Sequence, residues 1–115
     1  MATIRNLYVD QGADYTLPFT VSDVAGNPLN LLGYEVISVM KRSYESIVAY
    51  GLSVEFPEPL TGNIILTVPA LTTLAVKPGR YVYDVLIIDE NGVSTRVLEG
   101  LITINPAVTK LTEIV

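Results

Sequence analysis

The segment from Arg80 to Ile104 constrains this chain more than any other part of it. Apolar residues run along both sides of Asn91-Gly92, and that dipeptide is a strong hairpin signal because a type I′ turn requires φ > 0 at both central residues. With Asn91 and Gly92 as a two-residue loop, Glu90 pairs with Val93 and every pair behind it follows. Val85 then opposes Leu98, Tyr83 opposes Gly100, and Tyr81 opposes Ile102. Tyr81, Tyr83, Val85, Ile87, Leu98, Ile102 and Ile104 form the predicted core face. A tyrosine ring across from a glycine is a large–small complement, of the kind that marks close approach in a sheet.

The opposite face carries Val82, Asp84, Leu86 and Ile88 against Leu101, Glu99, Val97 and Thr95. A sheet with one solvated face alternates apolar with polar residues, so this face should be polar. It is mostly aliphatic instead. The preceding strand, Tyr34 to Arg42, repeats the pattern, with Ile37 and Val39 opposite in parity to Val36 and Met40. If the strands are neighbours, the outer face of one sheet is an apolar patch of the kind that marks protein–protein interfaces. The competing explanation is that β-branched residues form strands well and tolerate exposure. The predicted partner interface is Ile37, Val39, Val82, Leu86, Ile88, Val97 and Leu101, joined by Leu111 and Ile114 from the C-terminal segment. Asp84 and Glu99 meet as an unfavourable like-charge pair. Screening by solvent, by Lys41 or by a partner's arginine is expected, ahead of a catalytic couple or a bound cation.

Strand signals recur along the rest of the chain, with turn chemistry between them. Ile4 to Val9 reads as a short strand. Tyr15, Leu17, Phe19 and Val21 alternate with Thr16, Pro18 and Thr20, and Pro18 requires an edge or bulge because it has no amide hydrogen. Asp23 to Pro28 and Pro57 to Gly62 are loops. Ile47 to Phe56, interrupted by Gly51, and Ile64 to Val68 are further extended segments. One helical turn is predicted near 70–76, with Pro69 opening it and Leu71 and Leu74 on one face. Seven or eight short strands at roughly 8–12-residue spacing predict a single all-β domain over residues 1–115, an antiparallel β-sandwich. Residues 1–6 and 107–115 read as extended arms that add to neighbouring subunits.

Composition removes whole classes of function. The chain has no cysteine and no histidine, which excludes disulfides, thiolate metal sites and any Ser-His-Asp or Cys-His mechanism. No cofactor or metal site is expected, and no enzyme activity. A net charge of −5 with basic residues dispersed along the sequence argues against a nucleic-acid binder. There is no signal-peptide pattern, and the longest apolar run, Val85 to Ile88, is too short for a membrane span, so a soluble chain made in a cytoplasm is expected. Half of the residues are hydrophobic against 17% charged, which points to surface covered by other subunits.

Several segments occur in a suggestive order: Val9-Asp-Gln-Gly12, Asp23-Val-Ala-Gly-Asn-Pro28, Leu31-Leu-Gly-Tyr34, Gly79-Arg-Tyr-Val-Tyr-Asp-Val85, and Leu98-Glu-Gly100 through Pro106-Ala-Val-Thr109. From Leu7 to Thr109 this pattern resembles the small immunoglobulin-like β-sandwich domains of tailed-phage virions, including the N-terminal domain of baseplate upper proteins. The resemblance implies an immunoglobulin-like fold and a virion location. It also implies a structural role: docking onto other phage virion proteins as a homo-oligomer or symmetric array, with no nucleic acid or membrane as partner. The sequence shows no coiled coil or receptor-binding extension after the sandwich. The expected roles are therefore capsid decoration (cement) or a small tail, neck or baseplate component. The alternative is a carbohydrate- or surface-binding module, for which Tyr44 and Tyr50 are the tyrosines nearest to irregular segments.

Overall fold

Wherever apolar residues alternate between turn signals, the chain forms a strand. The computed structural model describes residues 3–107, with strands β1 (Thr3–Ile4), β2 (Leu7–Asp10), β3 (Tyr15–Thr20), β4 (Glu35–Lys41), β5 (Tyr50–Glu55), β6 (Asn63–Val68), β7 (Gly79–Ile88) and β8 (Ser94–Asn105), and one helical turn α1 (Ala70–Leu74). A short 3-10 turn at Pro59–Thr61, not anticipated from sequence, closes the β5–β6 loop. The strands follow the order β1-β8-β7-β4-β5-β6-β3, with β2 also on β8. The start of β5 pairs with β4 through Met40–Tyr50, and its end pairs with β6 through Glu55–Ile65. β5 therefore turns the corner, and one curled sheet folds into two facing layers.

This is an all-β, immunoglobulin-like sandwich. A hydrogen bond at the β7 corner carries the same signature: the Tyr81 hydroxyl donates to the Lys77 carbonyl at 2.7 Å, reaching back four residues across the turn that follows α1. That is the tyrosine corner of the immunoglobulin fold. The sheet departs from a purely antiparallel one at its N-terminal edge. β1 and β2 run parallel to β8, pairing Ile4 with Glu99 and Leu7 with Ile102. Residues 3–6 are thus not a free arm but part of the chain's own sheet, and the expected single strand is broken at Arg5-Asn6. The other expected arm, from residue 108 on, lies outside the described residues.

Inner-face residues fill the space between the layers. Every residue of the predicted core face is buried, together with Leu7, Val9, Leu17, Met40, Leu66 and Val68. Truncating a fully buried member such as Ile102 to alanine costs about 2–5 kcal/mol. β3 pairs only with β6 among the described residues. Because the Val21 amide donates toward β6, to Gly62 at 2.9 Å, alternation turns the Pro18 nitrogen to the free edge. Pro18 therefore sits where its missing donor breaks no ladder bond. In α1 the buried side chain is Thr73, while Leu71 is exposed, contrary to the expected Leu71–Leu74 face. Thr73 Oγ1 donates to the Ala70 carbonyl and accepts from the Gly12 amide, both at 2.9 Å. Beside it, buried Gln11 Nε2 donates to the carbonyls of Thr73 and Val76, and its Oε1 accepts from the Ala107 amide. The Val9-Asp-Gln-Gly12 segment is thus a lock between β2, α1 and the exit of β8.

The β7–β8 hairpin closes differently from a type I′ turn. Among the described residues only glycines take positive φ, so Gly92 (φ 80°) is left-handed and Asn91 is not. The Asp89 amide donates to the Val93 carbonyl at 3.0 Å, leaving a three-residue loop, Glu90 to Gly92. Asp89 Oδ1 accepts from the amides of Asn91 and Val93, both at 2.9 Å, and this local capping favours the longer loop. The expected Glu90–Val93 pair is therefore absent, and Ile88 faces Ser94. A bulge then absorbs the extra residue: Leu86 faces Arg96, Val97 is left over, and Val85 faces Leu98 as expected.

Candidate docking face

Because β4, β7 and β8 are adjacent, their outward residues stack into cross-strand rows. These are Glu35–Ile88–Ser94, Ile37–Leu86–Arg96, Val39–Asp84–Glu99 and Lys41–Val82–Leu101. β1 extends the third row with Ile4, and β2 places Tyr8 beside Thr103. Of the sequence-predicted interface, Ile37, Val39, Val82, Leu86, Ile88 and Leu101 fall together on this face. Ile37 is 45% exposed, and the other five are half-buried because they shield one another along the pleat.

Val97 does not belong to this set. At the bulge it turns inward and packs against both buried clusters, because two consecutive residues, Val97 and Leu98, face the core. Leu111 and Ile114 lie outside the described residues. Sequence reasoning missed Ile4, Tyr8 and Tyr44. The first two join only because the N-terminal strands add in parallel, and Tyr44 only because the β4–β5 loop folds over the sheet. With Val39, Lys41, Val82, Leu86 and Glu99, Tyr44 lines a shallow concavity of about 310 Å³.

Charges cross this aliphatic floor. Asp84 and Glu99 stand opposite each other as expected. The screening cation is Arg96 rather than Lys41: its Nε donates to Asp84 Oδ2 at 3.1 Å. The bulge makes this contact, since it brings Arg96 one step toward Asp84 on the outer side. Both side chains are accessible, so the pair contributes less than about 1 kcal/mol. It is the one ion pair among the described residues, so Lys41 and Glu99 are not paired with each other. No group of three or more potential metal-ligating side chains is gathered among the described residues.

Behind the face, the N-terminal segment is tied to β8. The Tyr83 hydroxyl donates to the Arg5 carbonyl at 2.7 Å, and burial pushes its pKa up to about 12, with the Arg5 charge pulling partly back. A Cβ at position 100 would fall on that same carbonyl oxygen, so Gly100 leaves the space that the Arg5 carbonyl occupies at the break between β1 and β2. The Leu101 amide donates to Asn6 Oδ1 at 3.1 Å just beyond it.

The fold and this face define an immunoglobulin-like sandwich with one aliphatic, lightly charged outer sheet surface. No protein-family model matches the sequence, and no curated protein matches it either. Among solved structures, the chain is similar to an internalin-like protein of Listeria monocytogenes, with a TM-score of 0.50 and 14% identity. The match covers 90% of this chain and 28% of that one. At such identity the likeness concerns the fold alone. No helix among the described residues is long and apolar enough to cross a membrane.

Proposed function

We propose that this chain is a non-enzymatic assembly module whose β4–β7–β8 outer face docks onto other protein subunits. The virion setting, as a head decoration or a tail or baseplate component, rests on the resemblance of its turn-and-strand pattern to phage sandwich domains. The observation that carries the docking reading is the continuity of Ile37, Val39, Val82, Leu86, Ile88 and Leu101 across three hydrogen-bonded strands. A solvated sheet face has no use for such a surface, whereas a covered one does. Replacing Leu86 and Leu101 with lysine places two charges at its centre without touching the core. The double variant is expected to keep the wild-type circular dichroism and melting curve but to be lost from assembled particles. Undiminished incorporation of a folded variant would overturn the reading. A carbohydrate- or surface-binding module is the second reading, supported by Tyr44, 79% exposed at the lip of the concavity. Binding on a glycan array that Tyr44→Ala removes would favour it.

A further inference from the structure

We infer that the partner seated on the outer face is a second copy of this chain, related by a two-fold axis, with Lys41 of each copy answering Glu99 of the other. The inference rests on the docking reading above and names the occupant of that face. Its first support is the charge inventory of the rows. The outward positions of β4, β7 and β8 hold three cations, Lys41, Arg80 and Arg96, and three carboxylates, Glu35, Asp84 and Glu99, so the face is neutral within a chain of net charge −5. Two copies can approach here without the mutual repulsion that the net charge imposes elsewhere.

The second support is how those charges are used. Arg96 and Asp84 satisfy each other, whereas Lys41 on β4 and Glu99 on β8 are unpaired with each other and lie one row apart with β7 between them. Within one chain that separation keeps them from meeting. In a two-fold packing, residue i of one copy contacts j of the other, and j contacts i. A two-fold axis lying in the plane of the face, crossing β7 between the Asp84 and Val82 rows and inclined to the strands, brings Lys41 of each copy to Glu99 of the other, and both contacts form at once. Between them the aliphatic rows of Ile37, Leu86, Val82 and Leu101 face their counterparts, as the inner faces of two sandwich sheets do.

Size sets the strength. Three strands about 4.8 Å apart and seven residues long present a plane of only about 300–400 Å². A stable interface uses about 800 Å² of each partner, so the contact is weak for a free pair and is strengthened where both copies are also held by another partner.

Sedimentation equilibrium of the full chain is expected to show a reversible monomer–dimer equilibrium with a midpoint in the range of roughly 0.1–1 mM. Lys41→Glu and Glu99→Lys are each expected to weaken it about tenfold or more. An equimolar mixture of the two variants restores it, because both cross-contacts of the heterodimer are again of opposite sign. The Lys41→Glu/Glu99→Lys double variant restores it in one chain. A wild-type chain still monomeric above about 2 mM overturns the inference, as does a mixture no stronger than its components. If that happens while Leu86→Lys/Leu101→Lys still abolishes particle incorporation, the docking reading stands with a different protein as partner. If the lysine variant is incorporated as well, both fail.

Discussion

A single oxygen, the Arg5 carbonyl, ties together three positions that are remote in sequence. It accepts the Tyr83 hydroxyl, it occupies the space that a side chain at Gly100 would need, and the amide of its own residue donates to the Glu99 carbonyl at 2.8 Å. The Tyr83–Gly100 pairing is more than a ring filling the space beside a glycine, because the glycine admits a backbone carbonyl that the tyrosine hydroxyl then fastens. This has a pH consequence with a definite sign. The Tyr83 pKa is raised to about 12 in the folded chain, against about 10 for the unfolded one. Below pH 10 both states hold the proton and stability is unaffected. Between about pH 10 and 12 the unfolded chain loses the proton while the folded one keeps it, so stability falls as pH rises. Urea unfolding at pH 9 and pH 11 is expected to show this loss in the wild type, and a smaller loss in Tyr83→Phe. At pH 9 the phenylalanine variant is itself less stable by about 1 kcal/mol, the worth of a hydrogen bond. An equal pH dependence in the two proteins would show that Tyr83 does not titrate with unfolding.

At the scale of elements, the β7–β8 hairpin explains why its pairing was legible although its turn was not. A three-residue loop shifts the register by one, and the bulge at Val97 shifts it back, so Val85–Leu98, Tyr83–Gly100 and Tyr81–Ile102 stand where a two-residue turn would put them. Only the segment between the two irregularities is displaced, and Val97 lies in it. The Asn91-Gly92 dipeptide fits either loop, and the choice falls to Asp89, whose carboxylate holds two amides. The observed turn predicts a specific order of effects in denaturant titrations. Asn91→Ala is expected to be nearly neutral, since Asn91 does not take positive φ. Gly92→Ala is expected to cost about 1 kcal/mol or more in its left-handed conformation, and Asp89→Ala about 1–2 kcal/mol. A large cost at Asn91 would restore the type I′ turn. Strand parity made most of the docking face readable, and Pro18 narrowed β3 to an edge or a bulge, of which the fold uses the edge. The parallel addition of β1 and β2 was not readable, because no local residue pattern encodes strand direction; it follows from where the Gln11 lock holds the end of β2.

At the scale of the whole molecule, charges dispersed along the sequence turn out to be sorted by the fold. One end of the sandwich gathers Asp23, Glu35, Glu55, Glu58, Asp89 and Glu90 on its loops and strand ends, with no lysine or arginine among them. The opposite end gathers four of the seven basic residues, Lys41, Arg42, Lys77 and Arg80. Arg42 stacks there over the Tyr81 ring, 5.1 Å from its centroid, and donates to the Arg80 carbonyl. Asp10, Asp14 and Glu45 share that end, and between the ends Arg5 and Arg96 offset Asp84 and Glu99, so among the described residues the net negative charge is carried at the first end. The long axis measures 50 Å, several times the Debye length of about 10 Å at 0.1 M salt, so the two ends act on their surroundings independently. The acidic end repels polyanions and other copies of itself, which leaves the neutral sheet face as the surface of least resistance between copies. This sorting is measurable. Glu55→Lys/Glu58→Lys and Asp10→Lys/Glu45→Lys have the same net charge of about −1 by formal count. If charge acted only through its sum, both would leave an anion exchanger at the same salt concentration. With the charge sorted, the first variant loses the surface by which the chain binds the resin and is expected to elute far earlier than the second. Coincident elution would mean that the ends are not electrostatically distinct.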